Sequence, residues 1–372
     1  MTKTTWLDKP IAEPTPMGSY PSQDVTYLLK DLSDYAITEL DQEERVEDEH
    51  FVKSFYVENR PSAEYMDMFH TALQESADRV ALAAGILSEL IIQQRGQQTM
   101  LASLRRSGTP IGVLVKRYLR TIHQVELPHY SFSIFKTHGL DWNALTYMIQ
   151  QHPGYDIQFI DGWSGKGLTS ELLHQFIAEF NKTCGTSLSS DLAVLADPAH
   201  SAPLYGTRDD FLLPCSLLNA LVTGLISKSV INEFVGPTDF HGAKYYSEWS
   251  DQDVSNVFVD TVASKFSIIA DEAKKQADRL TKNPDLLMAT FQGRQVVQKI
   301  QQDFNIPDSK LVAPGIAETT KGILKRNPWK ILVDRMDNPN LKHILQLAHE
   351  RNIDVETTST QSFSCFALFK RQ

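Results

Sequence analysis

Residues 157–167 read IQFIDGWSGKG. The apolar run Ile157 to Ile160 predicts a buried strand that delivers Asp161 at its carboxyl end. Gly162, Ser164, Gly165, Lys166 and Gly167 then form a glycine-rich turn before a helix predicted over about 169–181. The same strand-turn-helix grammar recurs on either side. Upstream, QTMLASL (98–104) reads as a short buried strand, RRSGTP (105–110) as a turn and 111–120 as a helix. YSFSIF (130–135) alternates like a strand, and 145–151 is helical. Downstream, LAVLA (192–196) is a strand ending at Asp197. Strands alternating with helices of this length predict an α/β fold, a doubly wound parallel sheet with helices on both faces. Its ligands bind beyond the carboxyl ends of the strands.

The rest of the chain frames that core. Residues 1–22, with Pro10, Pro14, Pro16 and Pro21, read as an extended N-terminal arm, and 23–270 as the main domain. An acidic run over 39–49 reads as a solvated helix face. A long helix is expected from a cap at Ser62 to a stop at Gly96. Residues 271–304 read as a helical connector. A second, small α/β domain is expected over 305–372, with helices over 317–325 and 340–351 and strands at 330–333 and near Val355 and Phe366.

With 372 residues, 22% of them charged, and 35 Gly plus Pro, the chain is long enough for two cored domains and too ordered in composition for a disordered or collagen-like protein. Three cysteines, Cys184, Cys215 and Cys365, show no metal-ligand spacing, which argues against a disulfide framework and for a cytoplasmic protein. The N-terminus lacks the apolar core of a signal peptide, and the apolar stretch 212–226 is too short to span a bilayer, so no membrane partner is expected. Net charge is −10. That disfavours a chain coating nucleic acid over its whole surface.

Two loops have the chemistry of anion sites. In DGWSGKG, successive backbone N–H groups at a helix start can cradle a phosphate while Asp161 accepts sugar hydroxyls. The loop is neither a Walker A motif nor a dinucleotide fingerprint. In SLRRSGTPIG, the forks of Arg105 and Arg106, with Ser107, Gly108 and Thr109, suit pyrophosphate oxygens. Together they predict phosphoribosyl pyrophosphate or a related sugar phosphate. Asp161 would hold the ribose, Gly162 and Ser164 to Gly167 the 5-phosphate, and 105–109 the pyrophosphate, with Arg106 stabilising the departing charge. Mg²⁺ would be borne by the substrate. Asp197 could face an acceptor, and Arg208, Asp209 and Asp210, with His241 and Lys244, are further polar groups on loops. A thiol-protease reading would draw on Cys215 with His241 and Asp239. Cys215, however, sits in a helical-looking apolar run (LLPCSLLNALVTGL), where an inert buried thiol is expected.

SLRRSGTPIG and IQFIDGWSGKG, with DLAVLADPA, YGTRDDFLLP and DFHGAKYY, resemble the phosphoribosyltransferase-related domain of bacterial tellurite-resistance and stress operons. That family also bears the name StiP cysteine protease. The resemblance runs from about Gly18 to about Phe266. It implies a type I phosphoribosyltransferase-like fold and, by analogy, transfer of ribose 5-phosphate with loss of pyrophosphate in a nucleoside-like or stress-response pathway. Where type I phosphoribosyltransferases place two adjacent acids, this chain has Asp161 followed by Gly162. The cysteine that the family carries near Cys215 falls at Leu217. A non-catalytic nucleotide or RNA sensor is the alternative from a different class.

The C-terminal string PGIAETTKGILKRNPWKILVDRMDNPNLKHILQLAHERNIDV resembles a Pelota-type RNA-binding domain over about 313–369. The resemblance implies RNA contact through Gly315, Glu318, Thr319 and Lys321, with Lys325 beside them, while Ala317 stands where the superfamily motif has asparagine. Charge divides accordingly. From residue 305 onward there are 10 Lys or Arg against 7 Asp or Glu, and the remainder carries 26 against 39. A basic module on an acidic body fits a modest RNA contact.

Overall fold

A computed structural model describes residues 6–370 apart from 36, 38, 41–52, 57, 59 and 361. Most of the acidic run therefore lies outside the described residues. The main sheet has six parallel strands: β1 (Thr26–Tyr27), β2 (Thr99–Leu104), β3 (His129–Phe132), β4 (Asp156–Trp163), β5 (Leu192–Ala196) and β6 (Leu204–Thr207). They lie in the order β1-β3-β2-β4-β5-β6, and every neighbouring pair is parallel. β2 shows why the order holds. Its Leu101 packs into one core layer, while Met100, Ala102 and Leu104 pack into the other, as a central strand with two covered faces requires.

One layer is built around α1 (Ala63–Arg95) and α2 (Gly108–Tyr118), the other around α3 (Trp142–Gln151) and α4 (Leu168–Cys184). The first is a 33-residue helix. It begins where the Ser62 side chain accepts the Tyr65 N–H and ends at Gly96, whose φ of 72° its lack of a Cβ permits. The arm is not free: Trp6 packs edge-on against Trp142, with ring centroids 5.1 Å apart.

The apolar run around Cys215 is not the expected helix. Pro214 and Asn219 interrupt it, and it folds as two short 3₁₀ turns, Pro214–Ser216 and Ala220–Val222, buried beside α1. Downstream, α5 (Ser255–Ala263) and α6 (Phe266–Lys282) return to the α1 face, whereas α7 (Gln292–Asp303) packs into the C-terminal core. The stretch expected as a connector is thus divided between two cores.

The C-terminal domain has a four-stranded sheet of β7 (Val312–Pro314), β8 (Lys330–Val333), β9 (Asp354–Thr357) and β10 (Cys365–Leu368), in the order β7-β10-β8-β9. Helices α8 (Gly315–Lys325) and α9 (Lys342–Glu350) pack on it. Ala199 joins one of its two apolar clusters, and Met68 and Leu212 pack against the other. Among the described residues no helix is long and apolar enough to cross a membrane.

Candidate functional site

The chain leaves β2 toward β3 on one side and later returns to β4 on the other, so the carboxyl ends of β2 and β4 form the topological switch point. Asp161, Gly162 and Trp163, expected in the turn, extend β4; they and the 164–167 turn meet the 105–107 turn and the start of α2 there. Their contact is backbone-close: a Cβ on Gly108 would stand 2.3 Å from the Ile160 carbonyl oxygen, and one on Gly162 would stand 2.9 Å from that of Ser107. This explains the missing second acid after Asp161. A side chain at 162 has no room.

Asp161 is 8% exposed and accepts two hydrogen bonds, both on Oδ1, from Ser107 Oγ at 2.5 Å and from the Gly162 N–H at 2.7 Å. Burial pushes its carboxyl up to about 6, against those two hydrogen bonds and the Lys321 charge, which favour the ionised form. It lines a cleft of about 400 Å³ with Lys136, Trp163, Lys166, Glu318 and Lys321. The last two belong to the C-terminal domain. Trp163 donates from Nε1 to Glu318 Oε1 at 3.2 Å, and Lys321 Nζ lies 4.1 Å from the indole centroid.

The cations expected to grip pyrophosphate are engaged within the protein. Arg105 donates to the Ser227 carbonyl at 2.6 Å and to Ser229 Oγ at 3.2 Å, and burial lowers it to about 9. Arg106 is paired with Glu58. Thr109 is buried against Ser131, with 2.7 Å between hydroxyls. In the other loop, Lys166 donates to the Ser309 carbonyl at 2.5 Å, and burial pulls it down to about 8. Gly165 faces Glu318 and Pro314, and Gly167 starts α4 with a φ of 74°.

Asp197 is fully buried and is held by Ser164, Ser201, Ala202 and Arg208. Arg208 also stacks 3.8 Å from the Tyr205 ring centroid. Asp209 pairs with Arg79 at 2.8 Å on the surface. His241 is bound through its ring to Ser133, its backbone N–H donates to Asp141 at 2.6 Å, and burial lowers its pKa. Lys244 lies 5.1 Å from the Tyr246 ring centroid. The structure therefore brings Asp161, Ser107, Ser164 to Gly167, Glu318 and Lys321 together. Asp197 and Arg208 form a neighbouring staple, and none of Asp209, His241 and Lys244 lines the cleft. Lys136, beyond β3, was missed; as a lone lysine in a loop it carries no motif.

The residues that the resemblance assigned to RNA are not laid out on an open face. Gly315 begins α8 against Asp210, whose half-buried carboxylate accepts the Ile316 N–H at 3.0 Å and the Ser364 N–H at 2.8 Å. Thr319 is fully buried, and Lys325 is the last residue of α8. Sequence spacing alone could not show that this helix start caps the cleft, because the contact spans more than a hundred residues.

All three cysteines are buried and unpaired. Cys184 ends α4, so it lies at the edge of the sheet opposite the cleft, and Cys365 opens β10 in the C-terminal domain. Cys215 lies in the loop after β6; burial raises its thiol to about 12, with the Lys321 charge opposing. The constellation of Cys215 with His241 and Asp239 is not assembled: Asp239 holds Lys30 at 2.6 Å, and Asp141 is the carboxylate beside His241. Among the described residues no group of three or more His, Cys, Asp or Glu could hold a metal ion.

Comparisons with known proteins bear on this site. The profile of the family described as tellurite-like stress resistance cysteine protease StiP matches residues 18–263, well over half the chain. The profile of the Pelota RNA-binding domain matches residues 291–371. A relative from Acinetobacter baylyi, named cysteine protease StiP, is 28% identical over 344 residues, which are 89% of this chain and 88% of the relative. These findings overturn the expectation of a phosphoribosyltransferase acting on phosphoribosyl pyrophosphate, and the Mg²⁺ expectation rested on that substrate alone. The physical reasons lie in the loops: Arg105 and Arg106 are spent on protein partners, and residue 162 cannot hold a second acid.

Proposed function

The chain belongs to the StiP family, and on that premise we propose that it is a thiol-dependent peptidase whose nucleophile is Cys215. The observation that carries this reading is the family match over 18–263 together with the placement of its cysteines. Cys184 and Cys215 fall inside the match, and of these only Cys215 lies in a loop beyond the sheet's carboxyl edge, within electrostatic reach of Lys321. It is two residues from Leu217, the position the resemblance gives the family's cysteine, so that Cys215 would have to take its place. A thiol at about 12 is not a nucleophile at neutral pH, so attack on a peptide carbonyl requires the segment to open and the thiolate to form. Asp161, with its carboxyl near 6, and Lys166, near 8, are cleft groups placed to exchange protons with a bound peptide. The test is hydrolysis of denatured casein by the wild-type chain and by Cys215→Ser and Cys184→Ser. Cys215→Ser should lower the rate about a hundredfold or more, and Cys184→Ser should leave it near wild type. Full activity in Cys215→Ser refutes the assignment.

A second reading concerns the C-terminal domain. We infer that residues 305–372 contact RNA, supported by the match over 291–371 and by the basic balance of this part on an acidic body. Titration of the full chain with a mixed-sequence RNA should give an affinity that falls about tenfold or more between roughly 50 and 200 mM salt. Binding insensitive to salt, or none, counts against it. We further read the six-stranded sheet, as a fold and not as an activity, as type I phosphoribosyltransferase-like, and the unpaired thiols as fitting a cytoplasmic protein.

A further inference from the structure

The segment from Asp210 to Leu221, which carries Cys215 in the core around α1, meets the C-terminal domain at its start and borders a groove with it at its end. At its start, the Asp210 carboxylate accepts two backbone N–H groups of that domain, from Ile316 and Ser364. Phe211 and Leu213 face Pro314, Gly315 and Ala317 across a narrow gap. Leu212 packs against the cluster containing Ile316 and Ile323. Further on, Leu217 and Leu218 line a groove of about 310 Å³ with Lys321, Leu324 and Arg351. Cys215 sits between these contacts and is 4% exposed.

The same helix also reaches the other loop of the site, since Glu318 and Lys321 engage Trp163 next to Asp161. One helix start therefore touches both the loop carrying Asp161 and the segment carrying Cys215. Polar anchors hold this helix to the first domain: the Ile316 N–H on Asp210, the Trp163–Glu318 hydrogen bond and Lys321 over the indole ring, with the Ser364 N–H before β10 sharing the Asp210 carboxylate and Leu212 packed alongside. Anchors of this kind can exchange with water at modest cost, and the apolar contacts beside them, from Met68, Leu212 and Ala199, are few among the described residues.

We propose that α8 is a latch: seated by Asp210 and by Trp163 with Glu318 and Lys321, it holds the Cys215 segment closed, and its release exposes the thiol. The proposal rests on Cys215 as the working thiol only for its consequence in activity; the covering itself is a statement about access. Cys215 itself packs into the core around α1, and the seated α8 keeps the segment that carries it pressed there, so the closed chain is a resting form. Opening brings water and substrate to Cys215 while leaving Cys184, at the far edge of the sheet, as it was.

The experiment is alkylation of the full native chain by iodoacetamide, with each cysteine followed by peptide mass spectrometry. Asp210→Ala removes the acceptor for both N–H groups. It should raise the rate at Cys215 at least about tenfold, with Cys184 unchanged. An unchanged rate at Cys215 overturns the latch, and so does a parallel rise at Cys184, which reports global loosening. If Asp210→Ala does not fold, Glu318→Ala breaks the indole hydrogen bond and should give a smaller rise confined to Cys215; no rise overturns the proposal. Casein hydrolysis in the same samples separates the two readings. Exposure of Cys215 without hydrolysis upholds the latch and refutes the peptidase, whereas hydrolysis abolished by Cys215→Ser with no latch effect does the reverse.

Discussion

Asp161, two residues before the end of β4, and Asp197, just past the end of the neighbouring β5, lie near the same edge of the sheet, and the protein uses them in opposite ways. Asp197 spends both carboxylate oxygens. Oδ1 takes Ser164 and Ser201, and Oδ2 takes the Ala202 N–H at 2.9 Å and Arg208. It ties the loops after β4, β5 and β6 into one frame. Asp161 places both of its donors on Oδ1 and lines the cleft, where the opposing charge that favours its ionised form, Lys321, arrives from another domain. A buried carboxylate with a full set of donors is a fastener. One with few donors, in a cleft, is available for chemistry.

Three measurements would break or sharpen that contrast. The largest effect is expected at Asp197. Removing one partner of a buried ion pair leaves Arg208 uncompensated, so Asp197→Ala should cost about 3–5 kcal/mol in urea unfolding. A loss below about 1 kcal/mol would show that the staple is not structural. Next comes Gly162→Asp, which restores the second acid. Its Cβ would press on Ser107, and the expected cost is about 1–3 kcal/mol. A neutral result would mean that the two loops can separate.

The smallest effect is in the titration of Asp161. Its folded-state value, about 6, lies above its ordinary 3.8, so the folded chain binds this proton more tightly than the unfolded chain. Its contribution to stability is therefore least favourable above about pH 7 and improves as pH falls through 6 toward 4. Carbon-13 NMR of labelled aspartate should show a midpoint near 6, and Lys321→Ala should move it upward, because that cation favours the ionised form. A midpoint near 4 in the wild type, or no movement in the variant, would place Asp161 outside the shared cleft.

Much of the first domain was legible because periodicity reports local burial. The strands at 98–104, 157–160 and 192–196, and the helix between Ser62 and Gly96, are visible as apolar runs and caps. The site was legible only loop by loop. The glycines and Asp161 in 161–167 marked a real concavity. The arginines of 105–109 have the composition of an anion site, yet Ser227, Ser229 and Glu58 already occupy them. Nothing in RRSGTP encodes those partners. The 212–226 run was misleading for a related reason: its apolarity reflects burial of nearly the whole segment in the core around α1, with Leu212 against the C-terminal domain, rather than one face of a helix.

By itself the sequence determined an alternating α/β chain, two domains of unequal size, two polar loops at strand ends and a small basic module at the C-terminus. Local propensity and hydrophobic period decide those features over a few residues at a time. Only the tertiary structure decided that α8 borders the cleft, that Asp210 seats it, and that the Lys321 charge acts on Cys215. Each of those depends on groups a hundred or more residues apart meeting in a low-dielectric interior. Burial there sets whether a carboxylate, an amine or a thiol carries its charge, and no spacing along the chain records it.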